Sequence, residues 1–567
     1  MRTKKIGFGF VAAVGATLAA WGGGGCQLIY GLEPAVLGGG TGSGGAGGSG
    51  AGGHGGGTGG AGGVPMMVCV PMAMEDCYEG AQGTEGNGVC KKGKWTCKAD
   101  GTGFGTCVGQ VVPAPENCAL PQDEDCSGTA AQCVGTAQWG KRFGNATGNQ
   151  GLSGVALDSK GNTIISGNLN GTVNFGKDDV IGAAFLVKFD PEGLPVFNKT
   201  LPIAGLMGVD SSDNIVLAGH FSGDLDFGGK KLDTPGVDNI YLAKLSPDGS
   251  HLLSKTVGYG SFTLYDMATG PDESVFIAGV ALGTIDLGGG LIGAAKQYNA
   301  FVAKYAKNGT HAYGLSFSSV GTLGGAQIQA ISVDGQGNAI VAAGFYGTLS
   351  VNGLSFDSDM GSFVVAKIDP MGKFVYAKQF SGVDAGLVDA SMTVVMPGNY
   401  DIAADAAGNV LLTGGFDPTA VLGGPALMTQ GGSDIYVAKL DPMGGHVWSK
   451  SFGNSSKQYA THIAVDMFGN PVITGIFVGG LSFFNGINAG GGGDNVFGFK
   501  LDADGGYLWA VGSISGAVIS KGTTANVAIS ALGDVVLAGT VKDKFTLGLV
   551  PTQTGGFFDT YVAKLAP

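Results

Sequence analysis

The stretch DIYVAKLDPMGGHVWSKSFG, Asp434 to Gly453, decides the fold. Two runs of β-branched and aromatic residues flank the turn Asp-Pro-Met-Gly, which is the chemistry of an antiparallel hairpin. The lysine phrase of the first run recurs as AFLVKFDPEG at Ala184, YLAKLSPDG at Tyr241, FVAKYAKNG at Phe301, FVVAKIDPMG at Phe363, VFGFKLDADG at Val496 and YVAKLAP at Tyr561. Its lysines are Lys188, Lys244, Lys304, Lys367, Lys439, Lys500 and Lys564, spaced 56 to 72 residues apart. A repeat of that length built from short β-type strings means a propeller or a solenoid.

Working outward, each repeat holds four strings. The first ends in an acid, as in GVALD at Gly154, AISVD at Ala330 and HIAVD at His462. A turn such as Gly161-Asn162 or Gly408-Asn409 leads to an apolar second string (NTIISG, NVLLTG, DVVLAG). A variable loop, the lysine phrase and a fourth string follow. Four strands per repeat is the blade of a propeller. The chain stops after the seventh lysine phrase without a fourth string, but AQWGKRFG at Ala137 matches HVWSKSFG at His446. The expected fold is therefore all-β: a seven-bladed propeller over residues 134–567, closed by its N-terminal strand so that no edge is left unpaired. Eight blades, or six with one degenerate blade, is the alternative count.

These strings resemble the bacterial β-propeller repeat called SBBP, roughly V-D-x-x-G-N, then D-x-F-V-A-K-L-D-x-x-G, then a Trp-bearing strand. The resemblance runs over about residues 136–567. The third repeat departs at Thr269-Gly270-Pro271-Asp272, and the seventh carries Ser530 where the acid belongs. The family is defined by its fold and implies no common reaction.

Upstream, residues 1–25 read as a secretory signal, with Arg2, Lys4 and Lys5 before an apolar run that is short for a membrane span; an uncleaved anchor helix is the rival. Cys26 after Gly22 to Gly25 resembles a bacterial lipoprotein acceptor, although Gly23 stands where the lipobox has Leu. The alternative is plain cleavage and secretion. With Gln27 next, the resemblance to Gram-negative lipoproteins implies the outer membrane and a cell-surface place. Residues 26–68 hold the anchor and the Gly-rich tether Gly38 to Gly63, a flexible coil of ~30 Å reach with His54 as a solvated residue.

Residues 69–133 hold Cys69, Cys77, Cys90, Cys97, Cys107, Cys118, Cys126 and Cys133, and no cysteine follows. An even count in a short exported segment reads as a disulfide-stapled module whose pairing the sequence leaves open. Zinc is the rival, but it favours closer Cys pairs than these. The end of the module, ENCALPQDEDCSG, resembles the Asp/Cys motif of MopE-like bacterial surface proteins, called metal-binding in that family. Asp123 and Asp125 are then candidate calcium ligands, against a plain acidic turn. No other cofactor is implied.

The net charge is −13, and removal of residues 1–25 leaves 28 basic against 44 acidic residues, or −16. That repels nucleic acid. The partners left are a membrane through the lipid and an unidentified protein or glycan. The repeat lysines read as structural pairs with Asp158, Asp210, Asp334, Asp405 and Asp466, with Lys439 within hydrogen-bond reach of a carboxylate. His220, His251, His311, His446 and His462 share no site, one arginine beyond the signal cannot form a carboxylate clamp, and no nucleophile elbow or zinc helix occurs. No catalytic residue is assigned. The expectation is a non-catalytic binding or adhesion scaffold acting through loops such as Asp417 to Gly432 and Gly479 to Gly493. A glycan-active propeller enzyme using paired Asp residues, or a metal-binding surface protein, is the alternative.

Overall fold

A computed structural model describes residues 69–113, 123, 126, 135 and 137–566, apart from 81–82, 146–147, 384–386, 389–394, 397–399, 479–493, 514–524, 532, 542–544, 548–549 and 553–557. Cys26, the tether, Cys118, Asp125, Cys133 and the loop 479–493 lie outside the described residues. The chain forms two compact units that part between Val134 and Gly135.

The first unit has one two-stranded sheet, Met74–Cys77 against Gly93–Thr96. A lone hairpin is marginal in water, and sulfur supplies the missing core. Disulfides join Cys69 to Cys97, Cys77 to Cys107 and Cys90 to Cys126. The three loops interleave, so each bridge constrains the segment that holds another. Cys77, Cys90, Cys97 and Cys126 are buried, and Trp95 stacks on Phe104 at 5.0 Å.

The second unit is all-β among the described residues. Its strands pair as four-stranded antiparallel meanders. The first is Gly151–Leu157, Thr163–Asn168, Ala184–Phe189 and Pro195–Leu201. The second is Leu206–Val209, Ile215–Phe221, Asn239–Leu245 and His251–Tyr259. Phe262–Thr269, Val275–Leu282 and Tyr298–Tyr305 follow, and the long strand His311–Val333 closes that sheet with its first half and opens the next with its second. That next sheet continues through Ala339–Val351, Leu354–Ile368 and Phe374–Val383. Then come Tyr400–Ala404, Val410–Val421, Asp434–Leu440 and His446–Phe452, followed by Gln458–Val465, Pro471–Val478, Asp494–Leu501 and Tyr507–Gly512. The last sheet is Ala525–Ile529, Val535–Val541 and Asp559–Leu565, and its fourth strand is Ala137–Phe143 from the other end of the unit.

Burial is graded across each sheet. The lysine-phrase strand Asp434–Leu440 is buried throughout, whereas the fourth strand His446–Phe452 is largely half-exposed. The faces explain why. Ile165 and Val187 of the first sheet cluster with Val536, Ala538 and Val562 of the last, while Ile164 and Leu186 cluster with Leu217 and Ala243 of the second. A middle strand covered on both faces favours apolar residues at successive positions, the paired repeat lysine apart, which is why these strings read as near-continuous runs rather than alternations. Each such side chain contributes about 1.5–3 kcal/mol when buried, and a sheet standing alone would forfeit that on both faces.

The variable loops are more ordered than their sequence suggests. The segment from Asp417 is the end of Val410–Val421 and folds back on Leu427–Met428 as a hairpin. Thr172–Asn174 with Asp179–Ile181, and Ile285–Asp286 with Leu291–Ile292, do the same in other sheets. Apolar residues such as Val173, Phe175 and Val180 are buried under the first of these, so the hairpins pack onto the sheets.

Candidate functional site

The lysines that mark the repeat do not line an open cationic channel. Lys188 Nζ lies 2.7 Å from Asp158, Lys244 2.6 Å from Asp210, Lys367 2.8 Å from Asp334 and Lys500 3.2 Å from Asp466. These acids end the first strand of the same sheet, and they also hold its turn: Asp158 Oδ1 accepts Lys160 N and Asn162 N, and Oδ2 accepts Asn162 Nδ2. Burial works against the charge on Asp158, but the bonds from Lys188 and Asn162 outweigh it and hold its pKa below the usual carboxylate value. Burial pushes Lys500 down, opposed by Asp466.

Lys439 departs from its expectation. Its Nζ stands 3.6 Å from Asp405, an ion pair longer than a hydrogen bond, and donates instead to the Ala503 carbonyl at 3.2 Å. That carbonyl belongs to the following sheet. The same step outward occurs at Lys188, which donates to Pro247 O, at Lys367 to Pro442 O and at Lys564 to Pro191 O. The repeat lysine is thus a clamp, with its own sheet's acid on one side and the next sheet's turn on the other.

Two sheets lack the usual acid and replace it from a different position. Lys304 meets Asp272, and Lys564 meets Asp534, each at 3.3 Å. Both substitutes lie in the first turn rather than at the end of the first strand, so a search at the position of Asp158 finds only Gly270 and Ser530.

Aromatic residues add a second clamp. Trp139 Nε1 donates to Pro191 O at 2.9 Å, and Trp448 Nε1 to Ala503 O at 3.1 Å. The indole of Trp139 lies on Gly193, whose φ of 81° and lack of a Cβ are both required: a Cβ there would stand 2.7 Å from the ring. Gly135 does the same for Trp509, with φ 52° and 2.8 Å. Gly135 precedes its fourth strand by the same two residues as Gly193 precedes Pro195.

The histidines stay apart. His251 and His446 pack on Gly229 and Gly424, with Nε2 3.0 Å from Ser254 Oγ and 3.1 Å from Ser449 Oγ. His311 packs likewise on Gly289, but Gly314 stands where the serine would be, and burial lowers its pKa. His220 is exposed and His462 buried on a first strand. Among the described residues no three His, Cys, Asp or Glu side chains gather as a metal group. Asp123 is buried, and Val89 N donates to its backbone carbonyl at 3.1 Å.

Two carboxylates that sequence reasoning overlooked sit on first strands. Asp266 accepts Met267 N at 2.7 Å and, from the next sheet, Ile331 N at 2.8 Å. Asp401 accepts Ile402 N at 2.8 Å and, from its next sheet, Ile463 N at 2.9 Å. Burial and then the charge of Asp401 push Asp266 well above the usual carboxylate range, against those two amides. Both oxygens of each acid are committed to backbone amides, which makes them bridges between neighbouring first strands and poor candidates for acid–base work on a glycan. The shared dipeptides Tyr265-Asp266 and Tyr400-Asp401 were the available signal.

The outer side of the second sheet carries an open cleft of about 550 Å³, lined by Asp233, Pro235, Thr256, Tyr259, Asp286 and Gly288. Asp286 Oδ1 already accepts Gly288 N and Gly290 N in its own hairpin.

No protein-family model matches the chain, and no curated protein matches it. Among solved structures it is similar to a puromycin hydrolase, with 14% identity and a TM-score of 0.32 over 81% of this chain and 57% of that one. It is also similar to a polysaccharide lyase of family PL25, an ulvan lyase (12%, TM-score 0.33, 74% of this chain and 97% of that one). A gluconolactonase from Xanthomonas campestris gives 12%, a TM-score of 0.27, and 61% and 85% coverage. The chain spans little more than half the length of the puromycin hydrolase. These likenesses are distant, and no residue role passes from them to this chain.

Proposed function

We propose that residues 134–567 form a closed seven-bladed β-propeller of SBBP-type repeats that serves as a non-catalytic binding scaffold for a protein or glycan at a bacterial cell surface. The observation that carries the closed ring is the cyclic order of the first strands. Gly151–Leu157 touches Leu206–Val209, which touches Phe262–Thr269, then His311–Val333, Tyr400–Ala404, Gln458–Val465 and Ala525–Ile529, which returns to Gly151–Leu157. The clamp from Lys564 and Trp139 to Pro191 spans the two ends of the unit in the same manner as the clamps elsewhere. In this reading residues 1–25 are a signal, Cys26 carries lipid in the outer membrane, and the disulfide module stands between tether and propeller.

A scaffold reading follows from where the buried charges are spent. The repeat lysines, their acids and the inner Asp266 and Asp401 all hold the frame, which leaves the connections between second and third strands as the variable surface. Loops on a rigid frame are where recognition sits. The test is a pull-down and glycan-array screen with the full-length chain and with a variant whose Asp417 to Gly432 hairpin is replaced by a short turn. Binding lost with the hairpin supports recognition there; hydrolysis or lyase turnover of an arrayed glycan overturns the non-catalytic reading.

A further inference from the structure

In an up-and-down meander the first and third turns of a sheet share one end, and the second–third connection lies at the other. The turn end is divided in two. On the first three sheets its turns carry Lys160, Glu192, Asp248, Glu273 and Lys307, with Leu194 exposed among them. On the fourth to sixth they carry Met371, Met443, Met467 and Phe468, which are 91%, 61%, 53% and 38% exposed. Ala406 and Ala407 between them are exposed as well.

These turns are contiguous. Lys367 Nζ lies within 3.4 Å of both Gly408 O and Pro442 O, which ties the turn of Ala406 and Ala407 to that of Met443. A Cβ on Gly469, next to Phe468, would lie 3.4 Å from Asp405 and 3.6 Å from Ala503. A Cβ on Gly337 would lie 3.6 Å from Pro370, and one on Gly408 would lie 3.4 Å from Gln336, so the turn of Met371 joins the others in one sector. Exposed apolar groups in one place mark an interaction surface, and methionine suits a partner that must be accommodated rather than matched.

The charge around the sector is predominantly acidic, with Lys373 and Lys450 as the cations beside it. Asp441 Oδ1 accepts Met443 N and Gly445 N, and Asp502 Oδ1 accepts Asp504 N and Gly506 N, so one oxygen of each stays outside those bonds. Asp504 is exposed. The lysines beneath the turns are neutralised by Asp334, Asp405 and Asp466; Lys373 is exposed on its own turn, and Lys450 Nζ donates to the Gly505 carbonyl beside Asp504.

We propose that this sector binds a cationic amphipathic segment of another protein. The segment's apolar side covers Met371, Met443, Met467 and Phe468, and its cations meet Asp441, Asp502 and Asp504. The physics is that of an amphipathic helix on an adaptable apolar surface, with the acidic rim setting orientation and partner choice. The site lies at the end of the sheets away from the variable hairpins, so it goes beyond the recognition proposed above and is independent of it.

The test uses the full-length chain and a fluorescent leucine–lysine amphipathic helix of about 18 residues, followed by anisotropy. The controls are a scrambled leucine–lysine peptide and a leucine–glutamate peptide of the same pattern. The expected result is saturable binding of the first peptide alone. It weakens at least about tenfold in the variant M371Q/M443Q/M467Q/F468S, checked by circular dichroism for an unchanged fold, and is untouched by replacement of the Asp417 to Gly432 hairpin. No binding, equal binding of the scrambled peptide, or binding indifferent to the four substitutions overturns the proposal. So does a dimer that the four substitutions dissolve, which assigns the sector to a second copy. Capture of phosphatidylcholine vesicles that depends on the same four residues also overturns it, assigning the sector to a lipid surface.

Discussion

Arg142 Nε and Asp559 Oδ2 stand 2.7 Å apart, both buried, although 417 residues separate them in sequence. Arg142 lies on the strand that begins the large unit and Asp559 on the strand that ends it. The one arginine beyond Arg2 in the whole chain is thus placed at the junction of the two ends. Burial pushes Asp559 above the usual carboxylate value, while Arg142 pulls it back.

Removing one partner of a buried pair leaves the other charge uncompensated. Arg142→Met should lower the stability of the large unit by about 3–5 kcal/mol at neutral pH, read by urea denaturation. The deficit should shrink as pH falls toward 4, because protonation removes the unpaired charge. In the double variant R142M/D559L most of the loss should return. A deficit that grows on acidification would contradict the assignment.

Asp158 and Asp266 should give opposite pH dependences. The folded pKa of Asp158 is depressed, so its contribution is present above the unfolded value and is lost as pH falls through the folded one. The folded pKa of Asp266 is raised, so its contribution is present below the unfolded value and is lost as pH rises through the folded one. Stability of Asp158→Asn relative to the parent should therefore be worst near neutrality and improve below about pH 4. Asp266→Asn should fare better against the parent at pH 7 than at pH 4. Denaturation at a series of pH values compares the two.

His311 should titrate below its ordinary value of 6.5 because the folded protein disfavours its cation by burial. Stability linked to it is present above the unfolded pKa and is lost as pH falls through the folded one. Histidine ring resonances in a carbon-13 NMR titration, assigned with His311→Gln, check the midpoint. A midpoint above 6.5 would contradict the half-buried placement on Gly289.

Lipid attachment is expected at Cys26. Metabolic labelling with a tritiated fatty acid should mark the parent chain in a Gram-negative host and leave Cys26→Ser unmarked, with the variant moving from the membrane to the soluble fraction. Labelling that survives Cys26→Ser would reject the acceptor site.

Much of the frame is legible in the sequence because its causes are local. The core of the string DIYVAKL is a continuous apolar run since both faces are covered, with Lys439 as its paired exception, and the turn Asp441-Pro442-Met443-Gly444 needs its Asp, Pro and Gly for reasons of backbone geometry. The lysine partners at Asp158, Asp210, Asp334 and Asp466 follow from the same regularity. What escaped is long-range. Asp272 and Asp534 replace the missing acids from neighbouring turn positions, and only the folded course of the turn brings them to Lys304 and Lys564. Asp266 and Asp401 serve amides of the next sheet, a relation that no spacing within one repeat contains. The bridges Cys69–Cys97, Cys77–Cys107 and Cys90–Cys126 likewise depend on how the module folds. The hairpins between second and third strands were hidden by irregular, Gly-rich strings in which buried residues such as Phe175 and Leu287 are few.

Closure of the ring depends on the pairing of its two ends, and a cross-link across that pair reports on it. Gly140 and Ala563 are register partners on the strands Ala137–Phe143 and Asp559–Leu565. In the variant G140C/A563C an intramolecular disulfide is expected, found by mass spectrometry of unreduced peptides in the monomer, together with a thermal midpoint that rises on oxidation and falls back on mild reduction. Free thiols in a folded monomer, or bridges found only between two chains, would contradict it.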